Sequence, residues 1–395
     1  MTATTTLILG GGFGGIAAAN TLRGLLPNEH EILVIDQSPS FHVGAGKTWV
    51  MLGERTYEQI SRSRTELLEP GVRFVQASVL GLDLAKRTVA TDKETLGWNH
   101  LVIAFGADLN LASVPGLAEA AHTFYTVEGA QRLKVVLDGF TGGEVAILIP
   151  RVPFKCPPAP YEAAMLLHRW FASRGLKEKA RIAIYTAEGA PMATAGPEMG
   201  QFIRNELTQR GIGFHPQKKT VRVDGAARRV VFEDGSEARY DLLIAVPPHE
   251  APKVVRDAQL VNQSGWVPVD PLTLQVKGAS AAGDVYAIGD ITAVPLPGRY
   301  KPDMPLSLPK AGVFAEAQGR VVAHQIAARV LHAVPTETFN GKGYCYLEVG
   351  AGRAVKADGS FFELPHPVMQ KQVPDAAQFR DKLEWVARVL RPARR

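Results

Sequence analysis

The stretch "LILGGGFGGIAAAN" has five glycines among the six residues Gly10 to Gly15. Thr5 to Leu9 reads as a buried strand, Gly14 to Leu26 as a helix, and "HEILVID" from His30 as a second strand ending at Asp36. Gly10-x-Gly12-x-x-Gly15 therefore lies between a strand and the helix it feeds, with an acid 36 − 15 = 21 residues later. That is the context a dinucleotide-binding βαβ unit requires. Glycines permit a tight turn and close backbone approach, so the amides of Gly10, Gly12, Phe13, Gly14 and Gly15, with the helix N-terminus behind them, can face a pyrophosphate. Asp36 can then accept hydrogen bonds from a ribose.

A second strand-to-helix turn has the opposite chemistry. Pro150 to Pro160 holds five prolines and Cys156. Proline has no N–H and fixes φ near −65°, so Pro150, Pro153, Pro157, Pro158 and Pro160 cannot form a glycine-type amide cradle.

"NHLVIAFGAD" reads as a further apolar strand ending in a glycine turn at Gly106, and "GGEVAILIP" opens a second α/β unit. A helix from about Tyr161, a strand at "RIAIYT", a helix around Glu198 to Arg210 and a strand meander through "KTVRVDGAARRVVFEDGSEARYDLLIAV" follow. "GDVYAIGD" returns to strand and turn at Gly289 and Asp290, before the helix of "LPKAGVFAEAQGRVVAHQIAARVL". "GYCYLEVGAGRAVKADGSFFEL" reads as paired strands and Asp375 to Leu390 as an amphipathic helix. The pattern predicts an α/β protein with two nucleotide-binding-type domains, the second (113–244) inserted into the first (1–112 and 245–334), and a C-terminal region (335–395). A length of 395 residues suits two or three domains.

The formal charge is +5, of which residues 376–395 supply six Lys/Arg against two Asp/Glu. The body is nearly neutral, which argues against a nucleic-acid face. His42, His168, His249, His324 and His332 have no metal-ligand spacing, so no metal is expected. No apolar run is long enough to span a bilayer, and "MTATTTLIL" lacks a basic leader and a cleavage site. A cytoplasmic or peripheral membrane location is expected. Cys156 and Cys345, 189 positions apart, are too few for a disulfide scaffold; they are either two buried thiols or a redox pair. Cys156 precedes a helix N-terminus, which predicts a lowered thiol pKa. Glu162, in that helix's first turn, reads equally as a helix-terminal charge.

These residues resemble the two-dinucleotide-binding-domain flavoproteins, and within them the sulfide:quinone oxidoreductases and the flavoprotein subunit of flavocytochrome c sulfide dehydrogenase. The glycine loop and Asp36 match the family's FAD site. "IAFGA" is similar to its ATG-type turn, with Phe105 where Thr is usual. "VYAIGD" resembles the second FAD motif, and "LPKAGVFAEAQG", with Lys310, the helix facing the flavin pyrimidine. The resemblance implies FAD and two Rossmann-like, glutathione-reductase-like domains. In the family the second loop takes NAD(P)H, which the prolines here disfavour. "KCPPAPYE" resembles the "CPPxPYE" stretch of the sulfide dehydrogenases and "GYCYLEV" the site of the partner cysteine. By that likeness Cys156 and Cys345 form a redox-active disulfide, Cys345 nearer the flavin, and Glu162 carries protons.

The relatives that attach FAD covalently use a cysteine where Gly44 stands, so FAD is expected to be non-covalent. A third cysteine used by many bacterial sulfide:quinone oxidoreductases is absent. Lys47 and Trp49 of "FHVGAGKTWVML" read either as neighbours of the isoalloxazine or as core. In the last helix Phe379, Leu383, Val386 and Leu390 form a stripe beside Arg380, Lys382, Arg388 and the terminal arginines. Such a stripe suits an anionic bilayer carrying quinone, the helix's own protein, or a dimer mate in a homo-oligomer. The implied activity is FAD-dependent oxidation of sulfide with quinone as acceptor. Alternatives are a sulfide:cytochrome c oxidoreductase flavoprotein subunit, an NAD(P)H:quinone reductase and a non-catalytic flavin-binding subunit.

Overall fold

Residues whose neighbours on both sheet faces are apolar form the innermost strands. In a computed structural model, which describes residues 3–279 and 284–393, Thr5–Leu9 and Glu31–Asp36 pair in parallel, Leu9 against Ile35, with the helix Phe13–Leu25 between them in the chain. Leu7, Ile8, Leu9 and Ile32 to Ile35 are fully buried, as parallel strands covered on both faces must be. The sheet order is Val285–Ala287, His100–Ile103, Thr5–Leu9, Glu31–Asp36, Val72–Gln76, all parallel. Its edge strand Val285–Ala287 thus arrives from beyond a long intervening segment. Gly283, which opens "GDVYAIGD", lies outside the described residues.

The helix Gly312–Val330 packs on Phe13–Leu25 at backbone contact. A Cβ on Gly319 would stand 2.3 Å from the Gly14 carbonyl oxygen, and one on Gly312 would stand 2.6 Å from the Phe13 ring. Only residues this small let the two N-terminal turns adjoin.

The intervening segment forms a second parallel sheet, in the order Gly213–His215, Ala180–Thr186, Gly143–Ile149, Leu242–Ala245, with the helix Ala159–Ser173 leading from the second turn. The expected meander is only partly one. Thr220–Asp224, Arg229–Phe232 and Glu237–Arg239 are antiparallel neighbours, but Leu242–Ala245 leaves them to pair with Gly143–Ile149. Its four residues are all buried, and a continuous apolar run belongs inside a parallel sheet, where an alternating one would not.

Lys342–Gly350, Arg353–Ser360 and Val368–Lys371 form an antiparallel sheet, followed by the helix Ala376–Val389, capped by Asp375 through the N–H of Gln378 at 2.7 Å. Of the readings open for the terminal stripe, packing on the helix's own protein is the one the structure supports. Trp385, Val386 and Leu390 are buried in the core shared with the second sheet, with Phe379 and Leu383 packed against it. Lys382, expected on a positive outer face, is 1 % exposed. The helix docks on its own protein because its stripe finds apolar partners there. The arginines at 394 and 395 lie outside the described residues. No helix among the described residues is long and apolar enough to cross a membrane.

Candidate active site

The C-terminal ends of both parallel sheets and the strand Lys342–Gly350 face a single cavity of about 890 Å³, within the usual range for a bound small molecule. Gly10, Gly12, Phe13, Gly14, Asp36, Gly106, Cys156, Glu162, Gly289, Asp290, Lys310 and Cys345 all line it. Gly15 does not: a Cβ there would lie 1.9 Å from the Gly10 carbonyl oxygen, so its role is to let the helix start beneath the loop.

Several features of this cavity suit a dinucleotide. Gly12 caps the helix Phe13–Leu25 without any side-chain hydrogen bond, leaving terminal N–H groups for an anion. The positions where Cβ atoms on Gly12, Gly44 and Gly106 would sit have no atom of the described residues within 4 Å. Asp36 accepts from the N–H of Gly11 at 2.8 Å and of Ser38 at 2.9 Å, and pairs with Arg64 at 3.1 Å. Arg64, which the sequence reading missed, also binds the carbonyls of Gly11, Ser38 and Ser40 and so holds the loop and the acid together.

Asp290 is the most pointed feature. Its Oδ1 is buried with no hydrogen-bond partner among the described residues, and burial raises its pKa against the pull of Lys155 and Lys310. A buried orphan acceptor is costly, and a hydroxyl donor from a ligand would relieve it. Lys310 turns its ammonium to the carbonyls of Asp290 (2.6 Å) and Thr292 (3.2 Å) and to the Trp266 ring.

The thiols come from different elements. Cys156 has φ +55°, in the left-handed region, its N–H donating to Lys310 O at 2.8 Å and its carbonyl accepting from Ala159 N at 2.9 Å. The proline turn is thereby tied to the segment that enters Gly312–Val330. Cys345 lies on Lys342–Gly350 opposite Ala357. Both thiols are unbonded and partly accessible. The expected lowering of the Cys156 pKa is corrected: burial, and then Glu162, push it up to about 11, with Lys382 and Lys47 opposing. Burial pushes Cys345 up to about 12, with Cys156 the next contribution. Loss of solvation outweighs a helix terminus whose favourable charge is fractional.

Beside them lies a buried charged cluster that the sequence did not suggest. Glu162 accepts from Lys382 Nζ at 3.1 Å to each oxygen, from Thr48 Oγ1 at 3.2 Å and from Glu348 N at 2.9 Å. Glu348 accepts from Lys382 at 2.6 Å and from the Trp49 indole at 2.8 Å. Glu162 is therefore more than a helix-terminal charge. Lys47, on the same short helix Lys47–Leu52, lines the cavity and donates to Tyr125 O. Trp49 is 2 % exposed and does not line the cavity. Trp49 and Glu348 are 299 positions apart, so no local spacing could have linked them.

The sequence pattern of the pyridine nucleotide-disulphide oxidoreductases matches residues 4–319. The chain belongs to this family. Its similarity to a mitochondrial sulfide:quinone oxidoreductase of Mus musculus is 25 % identity over 91 % of this chain and 78 % of that protein. A sulfide-quinone reductase of Aquifex aeolicus is 25 % identical over 81 % of this chain and 75 % of its own length. The solved structure of the Aquifex aeolicus sulfide:quinone oxidoreductase superposes with a TM-score of 0.85 at 22 % identity, covering 98 % of this chain and 92 % of that one. The resemblance and the fold class expected from the motifs are both borne out. This pyridine nucleotide-disulphide oxidoreductase is a flavin-dependent enzyme with FAD as cofactor, and the bare helix terminus, the open glycine positions and the orphan acceptor on Asp290 fit that group.

Proposed function

We propose that the protein oxidises sulfide through Cys156 and Cys345 and delivers the electrons, by way of FAD, to a quinone. The observation that carries this reading is that two cysteines 189 positions apart line one cavity together with the glycine loop, Asp36 and Asp290, the residues expected to hold FAD. The names of the relatives point the same way, and the proline turn argues against a nicotinamide in that half of the cavity.

In the oxidised enzyme Cys156 and Cys345 would be joined as a disulfide, and HS⁻ would attack one of its sulfurs. That S–S bond breaks and a new one forms, leaving a persulfide on one cysteine and a thiolate on the other. A second sulfide, or another thiol, takes the outer sulfur and leaves both cysteines reduced. Their return to the disulfide releases two electrons, and bound FAD supplies the two-electron acceptor that can pass them on to quinone. Gly10, Gly12, Phe13, Gly14 and Gly106 would form the loops that hold FAD, with Asp36 accepting from its ribose and Asp290 and Lys310 holding it nearer the flavin. Glu162 holds and returns the protons of the sulfur groups.

The test is anaerobic mixing of the yellow protein with sulfide and, separately, with NADH, watching flavin absorbance. Sulfide should bleach it and NADH should not. Cys156→Ser and Cys345→Ser should keep FAD but lose sulfide bleaching by a factor on the order of 10³ or more. Bleaching by NADH alone would assign a pyridine-nucleotide reductase, and bleaching by neither a flavin-binding subunit. Quinone and cytochrome c offered as oxidants then identify the acceptor.

A further inference from the structure

The Lys382 cluster has an uneven charge count. One ammonium, 1 % exposed, serves two carboxylates, Glu162 and Glu348, each 4 % exposed. The three come from three elements: the helix Ala376–Val389, the helix Ala159–Ser173 and the strand Lys342–Gly350. A fourth, Lys47–Leu52, closes over them with the Thr48 hydroxyl, the Trp49 indole N–H and the Trp49 ring, 4.9 Å from Lys382 Nζ. Lys382 and Glu162 both line the cavity that holds the thiols.

We propose that Lys382 is a positioning residue for Glu162: from the terminal helix it holds that carboxylate charged and aimed, while Glu348 shares the same ammonium, so the trio keeps one negative charge ready to take up a proton. The inference rests on the sulfide reading above. In that reaction the proton comes from the persulfide S–H. Its bond to sulfur breaks, an O–H forms on Glu162, and no electrons change hands. Two buried carboxylates beside a single cation cannot both discard their desolvation cost, which leaves the cluster one negative charge on which a proton can be taken up.

The charged and titratable groups around it are accounted for. Burial raises the Glu162 pKa and Lys382 is the main opposing influence, with Glu348 adding to the rise. Lys382 is itself held charged by both carboxylates against burial. Glu54 is raised first by burial and then by Glu348, with Arg169, Lys382 and Arg55 acting against the rise. Cys156 and Cys345 both feel the Glu162 charge.

The FAD-loaded enzyme with Lys382→Met, Lys382→Arg and Glu348→Gln tests this by two readouts. Infrared difference spectra across a pH titration should show a protonated-carboxyl band near neutrality in Lys382→Met that wild type and Lys382→Arg lack. The acid limb of the sulfide-dependent bleaching rate should move up by about one pH unit or more in Lys382→Met and down in Glu348→Gln, where Glu162 has the ammonium to itself, with Lys382→Arg near wild type. A loss of rate at every pH with an unmoved midpoint, or no protonated-carboxyl band in Lys382→Met, overturns the proposal. Failure of the sulfide reading itself is distinguishable: Cys156→Ser would then bleach as wild type, while the infrared result stands or falls on its own. If Lys382→Met does not fold, the opposite shift in Glu348→Gln decides.

Discussion

Glu188 shows how much one buried side chain can alter the molecule's response to pH. It stands two residues past the strand Ala180–Thr186, lines the cavity, and accepts hydrogen bonds from Tyr161 Oη and from Thr186 Oγ1 at 3.2 Å. Burial raises its pKa from 4.5 to about 7, although those hydroxyls and the Met192 backbone pull it down. A carboxyl whose folded pKa lies above its unfolded one adds stability that is fully present below the unfolded value and is lost as pH rises through the folded value. The window therefore runs from about pH 4.5 to about pH 7, and at about 1.4 kcal/mol per pH unit the loss is roughly 3 kcal/mol. Glu188→Gln should flatten that part of the profile. Denaturant titrations of both proteins at about pH 5 and about pH 8 measure it; equal changes in wild type and variant would refute the assignment. Cys156 was legible as a residue from the sequence around it, whereas its raised pKa was not, since desolvation is set by what surrounds a thiol in space.

The glycine loop and its helix act as one element, and their glycines serve two purposes that substitution can separate. Gly12 has ordinary negative φ and, among the described residues, no atom within 4 Å of where a Cβ would stand. Gly12→Ala should fold with near-normal stability while the added methyl enters the cavity and weakens FAD retention by about tenfold or more, the effect of about 1.4 kcal/mol. Gly15→Ala should instead strike the Gly10 carbonyl at 1.9 Å and destabilise the apoprotein itself by about 1–3 kcal/mol. Thermal melts of the apoproteins and flavin release on desalting separate the two; similar melts for both variants would contradict it. The terminal helix teaches the converse about reading an element. Its stripe was visible as a period of apolar residues, but a period says only that a face will be covered and leaves the covering partner open. Lys382 broke the expectation because a charge predicted to face outward had two carboxylates waiting inside, both distant in sequence.

At the scale of the whole molecule, the first sheet has one core and the second sheet shares another with the C-terminal strands, and the cavity proposed to hold the cofactor lies where the two come together. Adding FAD at about a hundredfold over its dissociation constant should stabilise the fold by about 2.7 kcal/mol, seen as a rise of roughly 3–5 °C in melting midpoint. An unchanged midpoint would mean that FAD does not bind the folded chain. The amino-acid order by itself determined the two parallel sheets, the glycine loop with its acid, the flavin motifs and the unusual proline turn, because backbone conformation and alternating burial are governed by neighbours a few residues away. Only the tertiary structure decided that Leu242–Ala245 abandons the meander, that Arg64 secures Asp36, that the terminal helix folds back on its own protein, and that Lys382, Glu162 and Glu348 share one buried site. Those outcomes depend on solvent exclusion and on charges brought together from remote parts of the chain, which arise when layers close on each other and leave no periodic mark in the sequence.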